Sequence, residues 1–430
     1  MEIFLIGLAI ICIFIVITSL FTSLGENTEP TSITSPLDLR TPDFFTVIES
    51  KTNSSFKSAS KIAILNNGDE FLPDFLNEIE KAKKSITITN YIWSDGEMSD
   101  KLFDVLIKKA GEGVKVLILL DGLGGNRAPN EKIDSLKKAG GKVEVFRPIA
   151  LGKLSRAHRR THIRAMVIDG TIGYTGGLAF DDQWLGNGIG EKNWRDMMFK
   201  VEGNMTESLQ NIFSNLWSES SGEILAGSDF YPNISSSPLE NMNSEKAGAK
   251  YVSMFHSPTP DMNRNLSNVL WLSIMGAKKH IFIITPYLLP DKNIEEALIT
   301  KVREGVLIEI ILPGTYHDAK HVQAASRSFY RNLLKAGIKI YEYQPGRLHT
   351  KMFTADGSWS LVGSANLDNR SNILNVENLL GIDDKEFAEN LEKEFQKDKE
   401  NSKEITKDSH KENWIGNTLG LFSRTFVKQY

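Results

Sequence analysis

The sequence predicts an α/β protein built from two duplicated domains. Stretches of alternating apolar and β-branched residues, such as 85–92 and 114–120, are separated by amphipathic stretches such as 102–110. Strands that alternate with helices in this way predict a largely parallel sheet covered by helices. The chain has 430 residues, of which 41% are hydrophobic and 24% are charged, so it is long enough for two globular domains.

Short pieces of the first half recur in the second half. The matching pieces are residues 82–86 with 277–281, 112–114 with 304–306, and 138–143 with 335–340. The offset between the paired pieces stays close to two hundred residues, and it shortens only where an extra loop enters the first half. The chain is therefore an internal duplication.

The same short motif occurs once in each half. The first copy contains His162, Arg164, Asp169 and Gly177, and the second contains His349, Lys351, Asp356, Ser364 and Asn366. The spacings from histidine to aspartate and from aspartate to the Gly-Gly or Gly-Ser pair are equal in the two copies. Side chains two residues apart share one face of a strand, so an imidazole and a cation face one pocket. This pairing suits a phosphate, and the aspartate is placed where it could orient an imidazole.

These motifs resemble the signature of the phospholipase D superfamily, His-x-Lys-x4-Asp followed by Gly-Ser/Gly-x-Asn. The surrounding stretches 91–93, 194–196 and 340–345 are similar to bacterial cardiolipin synthases, and the resemblance runs from about residue 61 to about residue 400. It implies two phospholipase D-like α/β/α sandwich domains with pseudo-two-fold symmetry, which brings the two histidines face to face. The first copy departs from the signature, with Arg164 in place of lysine and Ala179 in place of asparagine.

The resemblance also implies a two-histidine site that needs no metal and no cofactor. By analogy His162 attacks phosphorus and forms a phosphohistidine, while His349 acts as general acid and base; the sequence alone does not settle this order. The candidate catalytic residues are His162, His349, Arg164, Lys351, Asp169 and Asp356. The candidate phosphate-binding or supporting residues are Gly177, Ser364, Asn366, Asp196 and Glu377. Asp196 and Glu377 resemble the family's supporting carboxylates, each of which orients the opposite imidazole.

The extreme N-terminus is a near-continuous apolar run without charge, residues 3–20. At about 1.5 Å per residue it nearly spans a bilayer core of about 30 Å, which favours a transmembrane helix over a cleaved signal peptide. The predicted domains are a transmembrane anchor (1–21), a flexible linker (22–60), a first phospholipase D-like domain (61–232), a linker (233–250), a second such domain (251–400) and a charged, amphipathic tail (401–430). The tail suits an interfacial membrane helix and a helix packed on the protein equally well.

The extra loop of the first half, residues 149–161, carries basic residues and no acidic ones. We predict that its Arg156, His158, Arg159 and Arg160 attract anionic lipid head groups; a solvated loop is the alternative. His317 and His321 have a spacing that can bind a metal on a helix, but no third ligand is evident. We therefore interpret these two histidines as a polar helix face near the pocket.

The composition of the chain argues against some classes of partner and site. The formal net charge of −4 gives no general basic character for nucleic acid, and a single cysteine excludes an internal disulfide and a cysteine-based zinc site. The leading hypothesis is a phosphatidyltransferase of the bacterial inner membrane that converts two phosphatidylglycerols into cardiolipin and glycerol. The alternatives are a phospholipase D-type hydrolase of phospholipid or nucleic acid, and a catalytically weak, membrane-tethered lipid-binding protein. We expect anionic phospholipid and the membrane as partners and no nucleic acid; the sequence leaves the oligomeric state open.

Overall fold

Helices and strands alternate along both halves of the chain in the computed structural model, which describes residues 32–52, 54–57, 59–149, 159–232, 250–256, 265–368 and 370–407. The helices are α1 (Pro42–Thr52), α2 (Asn67–Lys81), α3 (Glu97–Gly111), α4 (Asn130–Lys138), α5 (Thr206–Ser221), α6 (Asn265–Gly276), α7 (Lys292–Arg303), α8 (Lys320–Ala336) and α9 (Lys385–Glu400). The strands of the first half are β2 (Lys61–Asn66), β3 (Ser85–Asn90), β4 (Lys115–Asp121), β5 (Lys142–Phe146), β6 (Ala165–Ile168), β7 (Ile172–Gly176), β8 (Gly190–Arg195) and β9 (Met197–Glu202). The remaining strands are β1 (Phe56–Lys57), β10 (Lys250–His256), β11 (His280–Ile284), β12 (Leu307–Pro313), β13 (Lys339–Tyr343), β14 (Gly346–Leu348), β15 (Met352–Ala355), β16 (Trp359–Gly363), β17 (Glu377–Asp383) and β18 (Ser402–Ile405).

The two halves build equivalent mixed sheets, which confirms the two-domain α/β class. The strand order is β2-β9-β7-β6-β3-β4-β5 in the first half and β1-β10-β17-β16-β15-β11-β12-β13-β18 in the second. Within these two sheets only β3-β4-β5 and β11-β12-β13 run parallel among the described strands, so the prediction of a largely parallel sheet is wrong. Strands β8 and β14, one from each half, form a separate parallel pair. The motif strands form hairpins, β6 with β7 and β15 with β16, whose short turns allow only antiparallel pairing.

The two sheets share one central core. Because side chains alternate across a strand, Leu117 and Leu119 of the first sheet and Phe282 and Ile284 of the second face this core. Helices α5 and α9 also contribute their apolar faces to it. The outer face of the first sheet is covered by α2, α3 and α4, and that of the second by α1, α6, α7 and α8. This layering leaves the carboxyl edges of the parallel strands free for loops, and the site lies there.

Two predicted boundaries differ from the structure. Within the predicted flexible linker 22–60, α1 packs Phe44 and Phe45 against Trp359, with ring centroids 5.1 and 6.2 Å apart, and β1 pairs with β10. The reason is an apolar face on α1 that buries Phe44 and Ile48 completely. Within the predicted tail, β18 pairs with β13 as the edge strand of the second sheet.

The predicted anchor over residues 1–21 lies outside the described residues, as do the linker residues 233–249 and the tail beyond residue 407. In the part of the chain that the structure describes, no helix combines the length and the apolar character needed to cross a bilayer.

Candidate active site

The two motif histidines meet at the junction of the two sheets. The backbone N–H of His162 donates to the carbonyl of Val376 at 2.9 Å, and that of His349 donates to the carbonyl of Arg195 at 2.8 Å. Each histidine is thus held by the other half of the chain. Neither lies on a strand as predicted, because β6 begins only at Ala165 and β15 only at Met352.

His162 is oriented by a buried carboxylate from the second half. Its Nδ1 lies 2.9 and 3.0 Å from the two oxygens of Glu377. The other ring nitrogen, Nε2, is therefore the one available to react with a substrate. Glu377 also accepts hydrogen bonds from Ser364 Oγ, Ser371 Oγ and Asn375 Nδ2. Burial opposes ionisation of Glu377, yet His162 and these donors hold its pKa below the ordinary value. Burial lowers the pKa of His162 to about 4, so the imidazole is neutral at pH 7.

His349 is oriented by a carboxylate from the first half. Its Nδ1 lies 2.6 Å from Oδ2 of Asp196, which also accepts hydrogen bonds from Trp184 Nε1 and from the backbone N–H of Met197. The indoles of Trp184 and Trp194 stack at 4.6 Å and meet the imidazole at 5.7 and 5.0 Å. Burial, followed by the charge of Lys351, lowers the pKa of His349 to about 4. The two histidine–carboxylate pairs therefore cross between the halves.

Two buried cations accompany the histidines. Lys351 Nζ lies 2.7 Å from Nδ1 and 2.9 Å from Nε2 of His349, on the same side of the chain as predicted. Burial lowers the pKa of Lys351 to about 7, so its charge is sensitive to pH near neutrality. Arg164 donates from Nε to the carbonyl of Leu178 at 3.1 Å and from Nη1 to the carbonyl of His162 at 2.6 Å. Its guanidinium is thereby fixed beside His162 as a permanent charge.

The residue after the first motif glycine differs between the halves for a steric reason. Ser364 donates to Glu377 at 2.5 Å, so its hydroxyl supports the carboxylate instead of reaching a phosphate. At the equivalent position Gly177 lies so close to Asp196 that an added Cβ would overlap the carboxylate oxygens. Serine therefore fits the half with the longer Glu377, and glycine fits the half with the shorter Asp196.

Asn366 and Lys351 line a mostly apolar cavity of about 60 Å³, together with aliphatic side chains such as Leu270 and Ile283. The side-chain oxygen of Asn366 is buried and has no hydrogen-bond partner among the described residues. This oxygen accepts hydrogen bonds and does not donate them, so the predicted contact of Asn366 with a phosphate stays a prediction. The first-half counterpart of Asn366, Ala179, is fully buried and has no polar side-chain group.

The sequence matches the family profile described as cardiolipin synthase, PLD-like domain, over residues 75–217 and 271–399. The chain belongs to this family. It is 33% identical over 377 residues to cardiolipin synthase 1 of Bacillus anthracis, covering 87% of this chain and 73% of the relative. It is 32% identical over 385 residues to a cardiolipin synthase of Clostridium perfringens (strain SM101 / Type A), covering 89% of this chain and 80% of the relative.

Among solved structures, phosphatidylserine synthase of Haemophilus influenzae Rd KW20 matches with a TM-score of 0.68 at 18% identity, covering 90% of this chain and 98% of the other. At that identity the likeness shows a common fold. With the family match, it confirms the predicted membership of the phospholipase D superfamily. The chain is a phosphatidyltransferase-type enzyme of that superfamily.

The aspartates of the family motif do not contact the histidines, which corrects the predicted catalytic role of Asp169 and Asp356. Asp356 accepts hydrogen bonds from the backbone N–H groups of Lys278, Lys279 and His280 at 2.7, 2.7 and 3.0 Å. Asp169 accepts equivalent bonds from the backbone of residues 83–85. Both aspartates have positive φ, 52° and 56°, at the hairpin turn. They tie each motif hairpin to the start of the neighbouring strand, β3 or β11.

The structure bears differently on the predictions for the basic residues before His162. Arg160 is 1% exposed, lies 3.5 Å from Asp121 and donates to the carbonyl of Arg147. It therefore supports the fold, and the prediction that it contacts lipid head groups is wrong. Arg159 is half-buried, and Arg156 and His158 lie outside the described residues, so their predicted contact with head groups stays a prediction. His317 precedes α8, which begins at Lys320, so it does not share a helix face with His321.

Sequence reasoning missed the polar and aromatic groups that surround the two carboxylates. Ser371 completes the donors on Glu377, and Trp184 supplies both a donor to Asp196 and a wall beside His349. Ser371 falls within the family stretch that follows Asn366, which is a usable signal. Trp184 lies on a short 3₁₀ turn, Asp182–Trp184, and no periodic pattern marks it.

Proposed function

We propose that the protein transfers a phosphatidyl group from one phosphatidylglycerol to another, which yields cardiolipin and glycerol. The observation that carries this proposal is the crossed pairing of His162 with Glu377 and of His349 with Asp196. Each carboxylate binds Nδ1, so Nε2 is the nitrogen that remains for chemistry. Nε2 of His349 lies 2.9 Å from Lys351 Nζ, beside the charge that would bind a phosphate. Arg164 and Lys351 add positive charge where a phosphodiester would be bound.

In the first half-reaction Nε2 of His162 attacks phosphorus and forms the P–N bond of a phosphohistidine, while the P–O bond to the head-group glycerol breaks. The lowered pKa of His162 favours this role, since a neutral imidazole carries the required lone pair. His349 gives a proton to the departing glycerol oxygen. Burial and then the charge of Lys351 lower the pKa of His349, and an anionic phosphate beside Lys351 offsets that charge. Bound substrate therefore raises the pKa of His349, so that more of the imidazole carries the second proton that it donates.

In the second half-reaction a hydroxyl of another phosphatidylglycerol attacks the phosphohistidine. His349 takes the hydroxyl proton, a new P–O bond forms, and the P–N bond to His162 breaks. Water in place of the lipid hydroxyl would give phosphatidic acid, so transfer and hydrolysis share one intermediate. The lipid substrates place the enzyme at a bacterial membrane, and the predicted anchor over residues 1–21 would keep it there.

The test uses the purified full chain in vesicles that contain phosphatidylglycerol, with lipid products and free glycerol measured together. Cardiolipin and glycerol in equal amounts support the proposal, whereas phosphatidic acid alone points to a hydrolase. No product at all would refute both the transferase and the phospholipid hydrolase. We expect His349→Ala to abolish turnover and Arg164→Lys to retain or raise it, because lysine restores the family residue. An unchanged rate for His349→Ala would refute the two-histidine site.

A further inference from the structure

A second group of polar side chains lies near enough to Lys351 for the carboxylate of the group to influence that cation, and it takes no part in the chemistry above. It consists of Tyr287, His317 and Asp318, in the loops that follow the parallel strands β11 and β12. The end of β11 pairs with the start of β15, Ile284 with Met352, directly after Lys351. These loops therefore emerge at the His349 side of the site.

The three side chains form one connected cluster. The hydroxyl of Tyr287 donates to Oδ2 of Asp318, and its ring lies 5.8 Å from that of His317. The backbone N–H of Ala319 donates to Nδ1 of His317 at 2.9 Å, which makes Nε2 the protonated nitrogen. The His317 side chain is only 1% exposed, yet Nε2 has no hydrogen-bond partner among the described residues. A buried donor without a partner indicates that a ligand or water completes it.

The charge of the cluster identifies the kind of group it can bind. Burial favours the neutral acid, but the contacts of Asp318 with His317, whose Nδ1 lies 3.0 Å from Oδ1, and with the Tyr287 hydroxyl hold its pKa below the ordinary value. Its carboxylate side chain is 27% exposed and therefore accessible. A phosphodiester oxygen only accepts hydrogen bonds and would be repelled by this carboxylate. A hydroxyl both donates and accepts, so it can bridge Asp318 and His317.

We propose that Tyr287, His317 and Asp318 form a polyol subsite that binds the second hydroxyl of a glycerol head group while the first hydroxyl faces His349. Asp318 accepts a hydrogen bond from that second hydroxyl, and Nε2 of His317 donates one to it. The inference rests on the proposed function and adds how the acceptor is chosen. A bound diol is oriented for attack on the phosphohistidine, whereas water and simple alcohols lack the group that the subsite holds.

The experiment compares acceptors that compete for one intermediate. The full chain turns over phosphatidylglycerol vesicles with equal concentrations of labelled glycerol and 1-propanol, which share a carbon skeleton and differ in their hydroxyls. The measured quantity is the ratio of phosphatidylglycerol formed by exchange to phosphatidylpropanol. This ratio does not depend on how much of a variant is folded, because both products come from the same active molecules.

We expect the wild type to favour glycerol and Asp318→Ala to lower the ratio at least tenfold. Asp318→Asn should recover part of it, since an amide oxygen still accepts a hydrogen bond. The matched control is Asp384→Ala, which removes an aspartate that caps α9 at the opposite edge of the second sheet and should leave the ratio unchanged.

An unchanged ratio in an active Asp318→Ala enzyme, or a wild type without preference for glycerol, would overturn the subsite and leave the proposed function standing. A wild type that consumes no phosphatidylglycerol would overturn both. The two failures are therefore distinguishable in one assay.

Discussion

Replacing Asp356 by glycine should destabilise the protein and leave its chemistry almost unchanged. The carboxylate of Asp356 caps three backbone N–H groups, those of Lys278, Lys279 and His280, and it touches neither histidine of the site. A hydrogen bond to a charged group contributes about 1.5–3 kcal/mol when buried, and water replaces part of it at this half-buried position. We therefore expect a loss of about 2–4 kcal/mol, or roughly 5–15 °C in unfolding temperature for a domain of this size.

The backbone at Asp356 supplies a second signature. Its φ of 56° is acceptable for glycine but costs alanine about 1–2 kcal/mol, so Asp356→Ala should be less stable than Asp356→Gly. Thermal unfolding of the purified full chain, followed by circular dichroism, measures both shifts. Turnover is measured well below the transition, and it should stay within about threefold of wild type because no catalytic group has moved.

The comparison variant is Glu377→Gln, which should lower turnover about 100-fold or more even when assayed well below its own unfolding temperature, since it removes the charge that holds His162. The reasoning about Asp356 would be refuted if Asp356→Gly lost turnover to the same extent while its unfolding temperature stayed at the wild-type value. In that case the motif aspartate would act on the chemistry after all.

Two further predictions concern the site itself. Gly177→Ala should lower kcat at least tenfold, because the added Cβ would displace the Asp196 carboxylate from His349; wild-type kcat in this variant would contradict the packing argument. Lys351→Arg should move the alkaline limb of kcat/KM upward. The lysine is charged below its pKa of about 7 and loses phosphate-binding charge as pH rises through that value, whereas arginine stays charged. A pH profile of kcat/KM checks this, and identical alkaline limbs in the two proteins would exclude Lys351 as the titrating group.

The motif and the duplication were readable from sequence because both are local patterns repeated at a constant offset. The spacing placed His349 and Lys351 on one side of the chain, and the resemblance paired Asp196 and Glu377 with the opposite imidazoles, as the geometry has them. The role of Asp356 was not readable, because its partners at residues 278–280 are backbone groups and carry no sequence signal.

The predictions of a largely parallel sheet and of a flexible linker over residues 22–60 differ from the structure for related reasons. The sequence pattern of a buried strand is the same whether its neighbours run parallel or antiparallel. The sequences of β15 and β16 therefore did not indicate that the two strands pair antiparallel. The segment with α1 looked like a tether because it is short and follows a Ser-, Thr- and Pro-rich stretch. Its order comes from the surface of the second half, where Phe44 covers Trp359, and only the tertiary structure supplies that surface.

The crossed carboxylates have a consequence for how such a gene can change over time. Asp196 is encoded in the first half but serves the histidine of the second, and Glu377 does the reverse. A damaging mutation in either repeat therefore disables the neighbour's histidine as well as its own surroundings, so neither repeat can drift as a spare copy. A recombinant that exchanges one repeat with a relative must bring a carboxylate of the length that the retained repeat accepts. Selection thus acts on the two repeats as one inherited unit, although the chain is an internal duplication.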